Sequence, residues 1–444
     1  MQRRLFAVSW FTLAVFFLTG CGSESSSPSS SSSRSTSSDM PGVWEIDRNA
    51  TLAALKESSP DKSDPETMMR TRVLESGGMD WRISLHRDGT AIVVMLDPSG
   101  KTASIGTWEQ KDGRVGITYP TRQGRAVASL TGTVQGQHLH LRVEPVGDKQ
   151  PAVLLTKNAT IAIPEAAASG PLRKDCPAAA AAPAGSESGV PDIVGLRIGM
   201  SYDEVSSVVE CLDDVRVVQT APLWVGKSSY GIPTKGALRA TSGIPCLEHE
   251  APACDTAGGR FPPVRNASSE YFVAFTGLPG EEVARVIWRR TLFDESASQT
   301  IATLTAALSD KYGAPQLQAV GNHSRLNRPR PGATNMVWAR DPKGQPMVEP
   351  KQQFTSAAMR FEQCVNGPNP VFTARHSWNS GCGLTLRAEI VPHQNNPVLA
   401  RELNMVLLHQ ADLFHGNRQF QHALKLRGEE EARKKQGASA PPKL

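Results

Sequence analysis

Between residues 42 and 144, apolar and polar residues alternate in short runs broken by glycine. A period of two marks strands with one buried face. "WRISLHRDGTAIVVML" reads as two strands bending at Asp88-Gly89, and "ASIGTWEQKDGRVGITY" repeats the arrangement at Asp112-Gly113. "AVASLTGTVQGQHLHLRV" does so again at Gly136. Asp-Gly between alternating runs signals a hairpin, because both residues tolerate the positive φ such turns need. With an opening strand "GVWEID" and a short helix "NATLAALKES", the pattern predicts a small antiparallel β-barrel or curved sheet over residues 40–160.

The period changes after residue 191. In "GLRIGMSYDEVSSVVECL", Ser201 and Glu204 form a capping box ahead of a stripe of Val205, Val208 and Val209, which predicts a helix. "SASQTIATLTAALSDKYGAP" predicts another, with Ile301, Leu304, Leu308 and Tyr312 on one face and Gly313 and Pro315 as the stop. "YFVAF", "ARVIWRRTLF", "NMVWARD", "AAMRFEQC" and "LTLRAEIV" read as strands. Leu399, Leu403, Val406, Leu407 and Phe414 recur at helical spacing, predicting a last helix that docks on the sheet, and residues 429–444 read as a charged, disordered tail. The fold class expected is α+β: a β-barrel module, then a module over 192–428 with helices on one face of an antiparallel sheet, arranged as a degenerate duplication. Between them, the proline-interrupted alanines of residues 161–191 lack apolar periodicity and read as a linker that few contacts should cross.

The N-terminus carries a different signal. Arg3 and Arg4 precede a largely apolar run of fourteen residues, Leu5 to Leu18, too short to span a bilayer but suited to a signal peptide. Leu18-Thr19-Gly20-Cys21 resembles the lipobox of bacterial lipoproteins. The resemblance implies cleavage after residue 20, acylation of Cys21 with palmitate among its chains, and, with Gly22 rather than aspartate next, the periplasmic face of the outer membrane. Twelve of the sixteen residues from Ser23 to Ser38 are serine, so residues 21–39 read as a disordered tether with nothing apolar to bury. Such a tether has a reach of roughly 25 Å.

Loss of Arg3 and Arg4 with the signal lowers the formal charge from +5 to +3, which gives no reason to invoke nucleic acid. Of seven cysteines, six remain once Cys21 is set aside. An even number in an oxidising compartment reads as up to three disulfides. Cys246 and Cys254 bracket seven residues and read as a loop staple, while Cys364 and Cys382 adjoin apparent strands and could link them. Cys176 and Cys211 pair by elimination.

Two further resemblances concern the body. Gly42-Val43-Trp44, echoed by Gly106-Thr107-Trp108, resembles the opening of lipocalin-like barrels, which implies a site for a small apolar molecule or a structural module; the blander reading is that Trp44 and Trp108 merely plug a barrel end. "GLRIGMSYDEV" and "KYGAP" resemble the helix start and stop of BamE-type periplasmic lipoproteins, which implies an accessory role in the envelope.

The search for chemistry returns little. Gly226-Lys227-Ser228 lacks the glycine of a phosphate loop, with Ala221 in its place, and no GxSxG elbow occurs. Ser59 and Lys62 have SxxK spacing without its companion motifs. His138 and His140 share a strand face without a visible third ligand, and His409, His415 and His422 do not share one face. Arg325, Arg328 and Arg330 sit in a proline-stiffened loop and are the candidate partner-binding surface. The expectation is a non-enzymatic outer-membrane lipoprotein with no cofactor and no metal, bound to the membrane by its lipid and to a periplasmic protein partner. Alternatives are an immunity-type lipoprotein that neutralises a periplasm-delivered toxin, and an envelope hydrolase whose residues assemble from distant loops.

Overall fold

In this computed structural model the described residues are 40–58, 65–76, 80–97, 100–120, 127–135, 138–144, 153–163, 171–173, 175–176, 191–222, 229–256, 260–294, 296, 298–321, 323–324, 326, 329–352, 354–366 and 378–438. The first module is a closed up-and-down barrel of eight antiparallel strands: β1 (Gly42–Ile46), β2 (Asp80–Leu85), β3 (Thr90–Asp97), β4 (Gly100–Lys111), β5 (Arg114–Pro120), β6 (Val127–Gln135), β7 (His138–Glu144) and β8 (Val153–Asn158). Closure comes from β8 pairing back onto β1, Trp44 opposite Lys157. This is the topology lipocalins share.

The predicted turns do their work. Asp112 and Gly113 both have positive φ, 53° and 75°, as the two central residues of a tight hairpin between Lys111 and Arg114 must. Inward-facing Trp44, Ile83, Val93, Ile117, Leu130 and Leu139 converge in one apolar cluster. Trp44 is buried there and donates to the Met40 carbonyl at 3.2 Å, whereas Trp108 is only half-buried.

Two barrel elements, a second helix and the last strand, extend the expectation. Helix α1 (Arg48–Ser58) forms as predicted, and α2 (Pro65–Glu75) follows it where only a polar stretch is legible. Strand β8 was not foreseen because "VLLTKN" does not alternate. Leu155 points into the barrel, and Leu154 is buried on the outside, its carbonyl accepting from Thr51 of α1.

The second module is one antiparallel sheet of eight strands with an internal symmetry. Its first half runs α3 (Tyr202–Glu210), β9 (Val217–Ala221), β10 (Ala237–Thr241), then, after an insertion carrying the two-stranded ribbon β11 (Ile244–Pro245) and β12 (Val264–Arg265), β13 (Ser269–Thr276) and β14 (Val283–Leu292). The second half repeats the order with α4 (Ile301–Tyr312), β15 (Leu317–Val320), β16 (Thr334–Ala339), an insertion carrying α5 (Ser356–Asn366), β17 (Leu384–Pro392) and β18 (Ala400–His409). The sheet order β15-β16-β17-β18-β14-β13-β10-β9 places the two fourth strands side by side, so the halves meet about an approximate two-fold axis. Equivalent bridges support it: the cap residue of each helix pairs with the start of its own fourth strand, Ser201 with Val283 and Thr300 with Leu399.

The capping box read from the sequence operates, and the structure adds a second cap at Thr300. Ser201 accepts from the Glu204 amide while the Glu204 carboxylate accepts from the Ser201 amide, and Thr300 accepts from the Thr303 amide. Helices α3 and α4 bury Val205, Val209, Leu304 and Leu308 against one sheet face. The expectation of helices on one face alone is corrected. Phe361 and Val365 of α5 pack on Val337 and Ala339, and Leu413 of α6 (Gln410–Ala438) packs on Phe272 and Ala274, all on the opposite face.

Two readings of periodicity fail here. Residues 400–409 form β18 rather than a helix. The strand lies mid-sheet and is buried on both sides, so Leu403, Met405 and Leu407 face one layer while Val406 and Leu408 face the other. A strand covered on both faces loses its alternation. "AAMRFEQC" is helix α5, because Ala358, Phe361, Cys364 and Val365 bury at helical spacing and Thr355 accepts from the Ala358 amide. The charged tail remains helical through Ala438, with Lys425–Glu429, Arg427–Glu431 and Glu430–Lys434 pairs one turn apart.

The cysteines stand in the pairs Cys176–Cys211, Cys246–Cys254 and Cys364–Cys382, with Cα separations of 5.5, 6.7 and 5.3 Å. The last ties a helix to the approach of β17 rather than two strands together. The two shorter staples each lie in one of the insertions between second and third strands.

Candidate functional site

Two buried polar networks stand out, and the first joins the modules. The outward face of β2 carries Ser84, and the turn after it carries His86 and Asp88. Gly89, with φ 79°, closes that turn, and Trp108 holds it by donating from its ring to the His86 carbonyl at 2.7 Å. A short 3-10 helix, Glu248–Ala253, packs against β3 and β4 from the second module, held at its base by Cys246–Cys254. His86 and Glu250 meet at 2.9 Å, and Ser84 and His249 at 2.9 Å. Arg265 of β12 reaches Asp88 at 2.8 Å and the His86 Nδ1 at 2.8 Å, and Asn266 donates to Thr90.

The partners fix the proton on His86. A guanidinium only donates, so Nδ1 must accept and Nε2 carries the hydrogen that Glu250 receives. Ser84, His86, Glu250 and Arg265 are all buried. Burial alone would raise the Glu250 carboxyl, but bonds from His86, Ser84 and the Leu247 amide outweigh it and lower its pKa. Asp88 is lowered the same way, Arg265 overcoming its desolvation. The linker expectation that few contacts connect the modules is therefore corrected. Arg82, Ser84 and His86 alternate like a solvated face in the sequence, yet the second module covers Ser84 and His86.

The second network crosses the sheet on the face away from α3 and α4. Cross-strand neighbours run Thr241, Glu270, Arg290, Asn404, Glu389, Asn335 from β10 to β16. The row obeys the two-fold axis: each third strand supplies a glutamate, Glu270 and Glu389, and the two fourth strands meet at Arg290 and Asn404. Arg239 and Arg290 both bind Glu270, and both approach Asp255 at 3.5 Å. Asp255 directly follows Cys254, so one disulfide-held insertion serves both networks.

Arg330 belongs to the other half of this row. Its guanidinium spans Glu389 at 2.7 Å and Glu402 at 2.7 Å. Burial opposes its charge, but the carboxylates of Glu402 and Glu389 prevail and raise its pKa. Arg387, more deeply buried with Glu389 at 3.9 Å, is lowered by desolvation. Four guanidinium groups thus face the four carboxylates of Asp255, Glu270, Glu389 and Glu402.

Arg330 is accordingly not a free partner-binding side chain, which corrects that expectation for this residue; Arg325 and Arg328 lie outside the described residues. So do Cys21, Ser59, Lys62 and Gly226-Lys227-Ser228. His138 bonds Asp47 at 3.3 Å, and His140 lies beside it with its pKa lowered by burial. His409 reaches Asp412, and His415 stacks edge-on against Phe414. Among the described residues, no group of three or more His, Cys, Asp or Glu could hold a metal ion, and no helix is long and apolar enough to cross a membrane.

A cleft of about 450 Å³ opens where β1 runs into α1, lined by Glu45, Asp47, Arg48, Asp80, Arg82 and Lys157 among others. Its charges are largely spoken for. Arg82 bonds Glu45 at 3.1 Å, and Asp47 accepts from the Ala50 amide and from Thr156. No protein-family model, no curated protein and no solved structure matches the chain.

Proposed function

We propose that the chain is an exported lipoprotein, held at the periplasmic face of the outer membrane by lipid on Cys21, whose two-module body is a non-enzymatic binding subunit. One observation carries this reading. Six of the seven cysteines are consumed in pairs, and the seventh is Cys21, placed after an apolar run and before a serine tract. Disulfides persist where thiols are oxidised, so the pairs and the signal point to the same compartment.

The binding role follows from how the ionisable groups are used. The sheet network sets four guanidinium groups against four carboxylates, the inter-module network sets Arg265 and neutral His86 against Asp88 and Glu250, and each ties one segment of the fold to another. A catalytic group needs a reactive atom left open toward a substrate. Both ring nitrogens of His86, and donors of Arg239, Arg265 and Arg387, are instead taken up by the neighbouring module or strand.

The test combines metabolic palmitate labelling with membrane fractionation of the native chain and its Cys21→Ser variant. Label on the native chain alone, and release of the variant to the soluble periplasm, is the expected result. A native chain without label, or with free thiols at the six paired positions, overturns the reading. Affinity capture from the membrane fraction then identifies the partner, and turnover of an envelope substrate by the purified chain would exclude the non-enzymatic role.

A further inference from the structure

The two insertions of the second module are equivalent in the fold but not in their surfaces. The first, held by Cys246–Cys254, is covered by the barrel. The second, held by Cys364–Cys382, exposes the two most exposed large apolar side chains among the described residues: Phe354 at 93 % and Val348 at 84 %, with Met359 at 55 %. Phe354 also has φ 62°, in the left-handed region that bulky residues avoid. It sits directly before Thr355, which caps α5, and α5 is fixed by the buried Phe361 and Cys364. A rigid base thus holds an apolar side chain out in water, in a strained conformation.

The charges along this insertion are sorted. Lys343, Lys351 and Arg360 are exposed, whereas Asp341, Glu349 and Glu362 are half-buried. Asp341 is turned back on its own loop and accepts from the amides of Lys343 and Gln345 at 2.9 Å. The outer surface of this insertion is therefore apolar and basic.

We propose that this insertion is a membrane-contact site, which seats Phe354 and Val348 in an anionic lipid leaflet while Lys343, Lys351 and Arg360 meet the headgroup phosphates. Protruding side chains with almost no protein around them form no walls for a shaped protein pocket, and acyl chains take them individually. Aromatic and aliphatic side chains over a basic rim match the interfacial pattern of peripheral proteins. The proposal rests on the tethered-lipoprotein reading for its setting, since a chain held within a few tens of ångströms of a bilayer meets that surface constantly.

The experiment separates the two. The full chain with Cys21→Ser, which cannot be acylated there, is sedimented with phosphatidylglycerol vesicles and with phosphatidylcholine vesicles. Binding to the anionic vesicles at least tenfold above the neutral ones is expected, since each basic side chain near an anionic surface contributes roughly fivefold. Adding Phe354→Ser and Val348→Ser should lower anionic-vesicle binding roughly tenfold or more with the melting temperature unchanged. Replacing Lys343, Lys351 and Arg360 with glutamine should abolish the lipid preference. The proposal is overturned if the Cys21→Ser chain stays in the supernatant with both vesicles, or if the serine substitutions leave binding unchanged. Retention of a protein partner through Phe354 by a chain that ignores vesicles would likewise overturn it. None of these results bears on whether Cys21 is acylated, which palmitate labelling reads directly.

Discussion

Replacing Glu250 with alanine tests whether the buried contact between the modules holds the body together. Its carboxylate accepts from His86 at 2.9 Å and from the Leu247 amide at 2.9 Å, and the residue is fully buried. Truncation leaves both donors without that acceptor in a dry interface, at about 1–3 kcal/mol for each buried orphan. Arg265 keeps its pair with Asp88 at 2.8 Å. Because His86 is the neutral tautomer, the loss is smaller than for a severed pair of full charges, and about 3 kcal/mol is expected in all. Glu250→Gln keeps the shape and one acceptor oxygen, so it should cost about half as much. Equilibrium urea unfolding reads the difference, and hydrogen exchange at the β2–β3 turn should accelerate in step. A Glu250→Ala cost below about 1 kcal/mol, with unchanged exchange at that turn, would refute the reasoning.

Acid should weaken both networks. The folded-state pKa values of Glu250, Asp88 and Glu402 are depressed, so their stabilisation is complete above the unfolded carboxylate range near 4 and is lost as pH falls through the lower folded values; a pH series of melting temperatures that is flat down to pH 2 would contradict this. Arg330→Ala should cost about 2 kcal/mol by leaving the buried Glu389 with only Arg387 nearby, the exposed third of the Arg330 side chain moderating the loss, and an unchanged melting temperature would return that arginine to the surface role read from the sequence. In Gly132→Ala, the added carbon would lie 1.9 Å from the His140 carbonyl of the neighbouring strand, so β6 and β7 must part, at about 1–3 kcal/mol measured by urea unfolding. Cys364→Ser with Cys382→Ser reopens a loop with a sequence separation of 18, for a loss of about 3 kcal/mol on the chain-entropy model, and calorimetry should find that loss confined to oxidised protein.

What the sequence reveals depends on how far apart the interacting residues lie. The Asp-Gly turns and the Ser201 cap are local chemistry within four or five residues, and each is where the sequence places it. Strand β18 and helix α5 were misread because their periodicity depends on what covers them, which is set by strands far along the chain. The contact between modules is the extreme case. Ser84 and His249 are 165 residues apart, and neither position looks buried by its neighbours. The same holds for the row from Thr241 to Asn335, whose members occupy ordinary strand positions until the register aligns them. The even cysteine count was more informative, because covalent pairing constrains long-range geometry through composition alone.

The side-by-side fourth strands have a consequence for how such a body could be assembled. Two identical chains, each one helix and four strands, would form this sheet by pairing their last strands across a two-fold axis, the arrangement of an isologous dimer. Joining the copies in one polypeptide removes the requirement that both be the same. A chain ending after the first copy would leave β14, ten residues long, as an open edge and would regain its sheet only by recruiting a twin. Covalent linkage makes that recruitment independent of concentration. It also releases each insertion to acquire its own surface, one covered by a barrel and the other facing outward.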